Sequence, residues 1–258
     1  MRANIRVLAR SIHIKMTGVV DVRRIGSLVI AVVLVLGIGI SASAQGQISF
    51  SYWPQDTEVT FAAANVQPQL IKSHVVSASG VMTLLPRLAL WGEYAVLPEA
   101  EGKQGSSKFT LAGSQMLIVG SYQLLNEGGL SLSPAFGYVS ANNEYTWQSG
   151  GSSVSYTVAY SGLVVGGVAR VELARGFNAR VTVLHGPKLT VKDTAQNRPA
   201  DSYDSALTDV TAAVSVNVFR NLAVEVGYRG ISQLARVEDS DVWERTSNGF
   251  FAAAKVEF

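Results

Sequence analysis

Eight charged residues stand at alternate positions in runs that are otherwise apolar or small. Alternate residues of a strand lie on one face, so these side chains are predicted to share the face opposite the valines and leucines. Charges that face an enclosed space must pair or stay hydrated. The pattern therefore predicts a structural ion-pair network or, where water fills the space, a small channel whose charges set the ion preference. The eight residues are Glu93, Arg170, Glu172, Arg180, Glu225, Arg229, Lys255 and Glu257.

The histidines offer little catalytic chemistry. After residue 44 the sequence contains only His74 and His185, and neither has an aspartate beside it. A hydrolase that uses an Asp–His couple would need the fold to bring an acid close to one of them. The sequence also lacks a glycine-rich phosphate loop, zinc-ligand spacing and a nucleophile elbow. We therefore expect no catalytic residue, no metal and no cofactor, and predict that the chain is not an enzyme.

Two polar segments near the C-terminus are rich in acids. Asp201 and Asp204 lie in one segment, and Asp239, Asp241 and Glu244 lie in the other. Carboxylate oxygens suit hard cations, so binding of a divalent cation or of cation-bridged lipopolysaccharide is one interpretation of these segments. However, the Asp-x-Asp fragments lack the spacing and the glycine of a calcium loop. We interpret them as solvated surface.

The composition favours a protein whose surface contacts lipid. Hydrophobic residues make up 48% and charged residues 16% of the chain, whereas soluble domains carry about 25% charged residues. The absence of cysteine fits passage through an oxidising compartment. Residues 45–258 hold 15 basic and 18 acidic residues. They show no basic patch with interleaved aromatics, so nucleic acid is not an expected partner.

The N-terminal 44 residues have the three parts of a secretory signal. Arg23 and Arg24 precede an apolar run over 25–40, and the small residues Ala42 and Ala44 follow it. The run is shorter than the roughly 20 residues of a membrane anchor, which is the alternative interpretation. We expect cleavage after Ala44.

This cleavage divides the chain into two parts. Residues 1–44 are the N-terminal extension and the cleaved signal peptide, although Met16 would make a more ordinary start. Residues 45–258 form a single β domain, because no segment longer than about ten residues there shows helical periodicity.

Short and long breaks alternate between the strand-like runs of this domain. The short breaks contain Gly, Asn or Pro and predict tight turns. The long breaks are polar, near 54–72, 98–107, 140–153, 192–206 and 235–246. Eight strands remain an alternative if one hairpin is a folded loop. The preferred prediction is ten strands, at 46–53, 73–84, 88–97, 108–124, 130–139, 154–173, 177–191, 207–219, 222–234 and 247–258.

The two faces of these strands differ in a way that favours a closed antiparallel up-and-down transmembrane barrel. One face carries valine, leucine and aromatic residues, as at Val224, Val226 and Tyr228. The other is dominated by Ser, Thr, Gly, Ala and Asn, with few of the Lys and Glu of a soluble exterior. A β-sheet in hydrocarbon must close on itself to pair its backbone. A soluble β-barrel with its apolar face inward is the alternative.

The sequence resembles the small bacterial outer-membrane β-barrel proteins, a porin-like or opacity-type class. The resemblance rests on the regular succession of hairpins, the export signal and the final residues Lys255-Val256-Glu257-Phe258. The pattern does not identify a subfamily. The resemblance implies that the barrel-assembly machinery reads Phe258 and that periplasmic chaperones escort the chain. It also implies a monomer in the outer membrane that contacts the lipid bilayer and lipopolysaccharide.

The expected role is structural or small-pore, with long extracellular loops. Two alternatives stay open. One is an outer-membrane hydrolase of the omptin type, which is the natural ten-stranded comparison. The other is a secreted soluble β-barrel that binds a small ligand.

Overall fold

The computed structural model describes residues 46–61, 69–104, 107–149, 151–195, 201–237 and 240–258. The predicted signal peptide, with Ala42, Ala44 and the cut after Ala44, lies outside these residues. No helix among the described residues has the length and apolar character needed to cross a membrane.

The described residues form one antiparallel sheet. A three-residue strand, β5, continues the line of β4 along β6, so ten strands span the structure. The predicted fourth strand, 108–124, ends at Tyr122, and β5 follows it after Gln123 and Leu124. The strands are β1 Gly46–Phe61, β2 Gln69–Leu85, β3 Leu88–Gln104, β4 Ser107–Tyr122, β5 Leu125–Glu127, β6 Leu130–Ser149, β7 Ser152–Ala174, β8 Phe177–Ala195, β9 Asp201–Phe219, β10 Leu222–Val237 and β11 Ser240–Glu257.

The sheet closes into a barrel where its first and last strands pair. β1 runs antiparallel to β11 from Gln47 opposite Glu257 to Phe61 opposite Trp243. The Gly46 N–H donates to the Phe258 carbonyl at 3.1 Å, and the Phe258 N–H donates to the Gly46 carbonyl at 3.0 Å. No strand edge is left along this seam, as a barrel requires.

Four tight turns connect strands at the end of the barrel that also holds Gly46 and Phe258. We call this end the bottom. Gly128, Gly129 and Gly176 adopt positive φ angles of 58°, 82° and 75°, which favour glycine. These short turns lie where the sequence predicts them. They are at Pro86-Arg87, Gly128-Gly129, Arg175-Gly176 and Arg220-Asn221.

A ring of outward-facing aromatic residues divides the barrel into two halves. The lower half lies between the short turns and the ring, and the upper half lies beyond it. The outer surface of the lower half is apolar, with Val226 55% and Phe136 57% exposed. For the lower half, the prediction that the valine- and leucine-bearing face points away from the barrel axis is confirmed. The ring consists of Tyr52, Tyr94, Tyr138, Tyr228 and Phe250.

The long polar breaks were predicted to be loops, and this was wrong for the described residues. β1 continues to Phe61 rather than ending at 53, and β6 continues to Ser149 rather than ending at 139. Polar residues alternate with apolar residues there as well, so these segments extend the hairpins as paired strands.

The alternation changes sense at the ring. On β6 below the ring, Leu132 and Phe136 point outward while Ser131 and Ser133 point inward. Above the ring, Asn142 and Glu144 are exposed, while Tyr145 on the inner face is 1% exposed. The lower half is therefore apolar outside, whereas the upper half is apolar inside.

Candidate functional site

The lower half encloses a cavity of about 350 Å³. Its β1 and β2 wall includes four small hydroxyl side chains, Ser49 and Ser51 with Ser77 and Ser79. Because these side chains are short, they leave space that larger residues would fill. Charged residues from β3 and from β7 to β11 occupy the rest of the wall.

Arg229 forms the central ion-pair group of this cavity. It contacts Glu93 Oε1 through Nη1 at 2.8 Å and Asp209 Oδ2 through Nη2 at 2.7 Å. Its Nε also donates to Asp209 Oδ1 at 3.2 Å, so the Asp209 contact is bidentate. Its guanidinium lies 5.3 Å from the centroid of the Trp53 ring. Since β3 and β10 are separated in the sheet by β2, β1 and β11, this group links opposite walls.

Glu225 on β10 forms a second ion-pair group with residues of β8 and β11. Its Oε1 accepts from Arg180 Nη2 at 2.9 Å, and its Oε2 pairs with Lys255 Nζ. Arg180 Nη1 also donates to Thr182 Oγ1 at 3.1 Å. The Glu225 side chain is 4% exposed, so both of its oxygens are used in a nearly closed environment.

The other three predicted charges form no ion pair among the described residues. Arg170 lines the cavity and lies directly across from Arg180 on β8. Glu257 accepts a hydrogen bond from Gln47 Nε2 at 3.2 Å near the bottom opening. Glu172 is exposed at the lower end of β7.

Asp209 is a charged residue of this site that the sequence reasoning missed. It is 6% exposed and supplies both carboxylate oxygens to Arg229. The signal was present, because the outward run Val210, Ala212 and Val214 places Asp209 on the opposite, inner face.

The inner face of the upper half carries apolar side chains where the cavity carries charged ones. Its interior is packed with apolar side chains that are 0–1% exposed, from five strands of the barrel. Ordinary protein interiors packed in this way contain few voids larger than a water molecule. These side chains are Val59, Ile71, Phe109, Leu111, Val139, Tyr145, Leu189 and Val191.

An aromatic cluster completes this packing towards the top. The rings of Tyr145 and Tyr156 stack with centroids 5.2 Å apart and an angle of 13°. Phe109 lies 5.9 Å from Tyr145 and 6.0 Å from Trp147. We call these four residues the aromatic plug. Burial raises the pKa of the Tyr145 phenol, which lies above the ring, so this side chain is neutral at physiological pH.

Polar side chains between the cavity and the plug bond to one another. Thr57 and Ser247 share a hydroxyl–hydroxyl bond of 3.0 Å, and Arg245 Nη1 donates to Asn143 Oδ1 at 3.1 Å. Because these partners belong to strands far apart in sequence, the bonds stabilise the layer between the two halves.

Both histidines of the described residues lie on the outer surface. His185 Nδ1 is 3.0 Å from Thr208 Oγ1, and the His74 ring lies 5.6 Å from the Tyr52 ring. Their outward direction follows from the alternation on β8 and β2 and places them away from the Asp209 and Glu93 carboxylates.

The acidic segments are described only in part. Asp204 pairs with Lys188 at 3.1 Å on the exposed surface, and Glu244 is exposed. Asp239 lies outside the described residues, as do the side chains of Asp201 and Asp241. Among the described residues no group of three or more acids or histidines is arranged to hold a metal ion.

Comparison with known proteins adds information on the fold alone. No protein-family profile and no curated protein matches the chain. Among solved structures it is similar to the outer membrane protease OmpT from Escherichia coli, with 12% identity and a TM-score of 0.59, over 83% of this chain and 96% of that one. It is also similar to the translocator domain of the autotransporter NalP from Neisseria meningitidis, with 8% identity and a TM-score of 0.47 over 92% and 94% of the two chains.

The likeness to OmpT confirms the predicted fold class. The chain is a closed antiparallel barrel of ten strands, of the kind found in outer-membrane proteins, and the eight-strand alternative is excluded.

Proposed function

We propose that this chain is a closed outer-membrane barrel that serves as a structural scaffold and does not conduct solutes. In this proposal the lower half crosses the bilayer and the upper half extends from the cell as a rigid, water-exposed barrel. The packed interior of the upper half is the observation that carries the proposal.

The outer surface supports the position of the bilayer. On β6 the outward positions are apolar from Leu130 to Tyr138 and polar from Asn142 onward. A tilted membrane strand needs roughly 9–11 residues, which matches the lower half. Aromatic residues are enriched at membrane interfaces, so the ring of tyrosines and Phe250 fits a position at the edge of the bilayer.

The interior supports a closed state. Solutes that enter the lower cavity meet the Trp53 and Arg229 layer and then the packed side chains above it. Val139, Leu111 and Leu189 are each 0% exposed, so these side chains do not contact water. Opening a path would require breaking tertiary packing across the barrel.

The positions of the histidines favour a scaffold over an omptin-type hydrolase. An Asp–His couple requires the imidazole within hydrogen-bond reach of its acid. His74 and His185 lie on the outer face, whereas the buried acids Asp209 and Glu225 lie on the inner face. We therefore propose that the chain is not an enzyme.

Conductance of the purified barrel in planar bilayers tests the proposal. We expect no stable conductance steps from the unmodified chain. The double variant Phe109→Ala, Tyr145→Ala removes two rings of the aromatic plug and should produce conductance. The matched control Phe136→Ala removes an exposed outer ring and should remain silent. Steady conductance of the unmodified barrel would overturn the proposal.

We also propose that the barrel-assembly machinery reads Phe258. The Phe258 side chain is 55% exposed and lies over Gly46, where an added Cβ would be 2.6 Å from the ring. It is therefore both accessible and part of the seam. Insertion by purified assembly machinery should be slower for Phe258→Ala than for Phe136→Ala, which removes an exposed ring on β6, away from the seam. Equal insertion rates would refute this role.

A further inference from the structure

We propose that the lower cavity binds a small uncharged solute that is rich in hydroxyl groups and has the size of a monosaccharide. The solute enters at the bottom of the barrel and lies between the β1–β2 wall and the β8–β9 wall. This inference goes beyond the scaffold role, because binding in the lower cavity does not require a path through the upper half.

The charges that line the cavity balance one another. Four are cations and four are carboxylates, and six of these eight form the two ion-pair groups around Arg229 and Glu225. The remaining two, Arg170 and Glu257, have opposite signs. A ligand with a net charge would upset this balance in a partly closed space, where an uncompensated charge is costly. The lining therefore favours a ligand without net charge.

Five polar side chains of the cavity form no hydrogen bond with any described residue. On the first wall, Ser49 lies directly across from Ser79. On the second wall, Asn178 lies directly across from Ser215. These four side chains and that of Thr211 line the cavity. A hydroxyl has one donor and two acceptor positions, so both walls offer hydrogen-bonding positions that the described protein groups leave unused.

A solute with hydroxyl groups around its ring can bond to both walls at once. An apolar solute of the same size would strip water from the serine and threonine hydroxyls without replacing its hydrogen bonds, which costs free energy. Sites built to bond hydroxyl groups reject analogues that lack them for the same reason. The two walls therefore favour a polyhydroxylated ligand.

Aromatic side chains and the size of the cavity suit a single sugar ring. Trp91 and Phe251 line the cavity and are partly buried, and the C–H groups of a sugar ring pack against aromatic rings. The volume of about 350 Å³ lies at the lower end of small-molecule sites. Arg170 and Glu257 are exposed at the lower end of the cavity, so a dissolved ligand can enter there.

Calorimetric titration of the detergent-folded barrel with D-glucose, D-galactose and D-mannose tests the site. We expect saturable binding of at least one of these hexoses by the unmodified chain. The 6-phosphate and the 2-amino derivative of that hexose should bind at least fivefold more weakly, because each brings a net charge. Absence of saturable binding for all three hexoses, or a charged derivative that binds as tightly, would overturn the inference.

Variants of one threonine test where the hexose lies. Thr211→Val removes a cavity hydroxyl but keeps the branched shape of the side chain, and it should weaken binding at least fivefold. Thr211→Ser keeps the hydroxyl and should bind within twofold of the unmodified chain. The matched control Thr190→Val, at an exposed position on the outer face of β8, should also bind within twofold. Unchanged binding by Thr211→Val would contradict the inference.

Thermal unfolding separates loss of the site from loss of the fold. Since Thr211 bonds to no described residue, Thr211→Val should unfold at the temperature of the unmodified barrel when no hexose is present. Hexose should raise the unfolding temperature of the unmodified barrel more than that of Thr211→Val. Equal rises in both would show that the hexose binds elsewhere and would refute the inference. The scaffold proposal is tested separately by conductance.

Discussion

The lower and upper halves of the barrel use the same strands with opposite polarity. Below the aromatic ring, apolar side chains face outward and polar or charged side chains enclose a cavity. Above it, polar side chains face outward and apolar side chains fill the interior. Hydrophobic burial therefore stabilises the upper half as in a soluble barrel, whereas ion pairs hold opposite walls of the lower half together.

Breaking the lower ion pairs should have the largest effect. Arg229→Ala leaves Glu93 and Asp209 buried without their cation, which should lower the free energy of unfolding by about 3–5 kcal/mol. Urea unfolding of the barrel in lipid vesicles measures this change. The triple variant Arg229→Ala, Glu93→Gln, Asp209→Asn should recover much of the loss. A single variant as stable as the unmodified chain would contradict the role given to this group.

Weakening the upper core should cost nearly as much. Leu111 is 0% exposed, so Leu111→Ala leaves a cavity and should lower the free energy of unfolding by about 2–5 kcal/mol. Leu132→Ala, on the outer face of the lower half and 42% exposed, removes the same atoms from a site without tight packing. Its cost should be clearly smaller in the same unfolding experiment. Equal costs would mean that the upper interior is not a packed core.

A charge placed on the outer surface should destabilise the lower half more than the upper half. Val224 is 39% exposed on the lower half, and Val224→Arg should lower the free energy of unfolding in vesicles by about 2–4 kcal/mol. Gln148→Arg, at an exposed position of the upper half, should have little effect because that surface contacts water. If the two substitutions cost the same, the bilayer does not end at the ring.

The lower half could be predicted from the sequence because its alternation is regular and its turns are short. Val224, Val226 and Tyr228 already mark the outer face, and the Gly and Asn residues mark the bottom turns. The ten strands followed directly from the order of breaks.

The upper half could not be predicted in the same way. Residues 140–148 contain Asn, Glu and Gln, which are common in loops, yet Tyr145 and Trp147 alternate with them. The sequence interpretation treated polar composition as a loop signal and so missed a strand whose polar face is the outer one. The partners of Arg229 depend on barrel closure, which brings β3 and β10 together across the interior.

Single cysteines on the outer face of β6 test the change of polarity most directly, because the chain contains no cysteine of its own. Leu132→Cys and Phe136→Cys lie below the ring, and Asn142→Cys and Glu144→Cys lie above it. A fluorophore at each position would be measured in vesicles with brominated lipids and with a water-soluble quencher. We expect lipid quenching at the first two positions and aqueous quenching at the last two. The same quenching at all four would contradict the account.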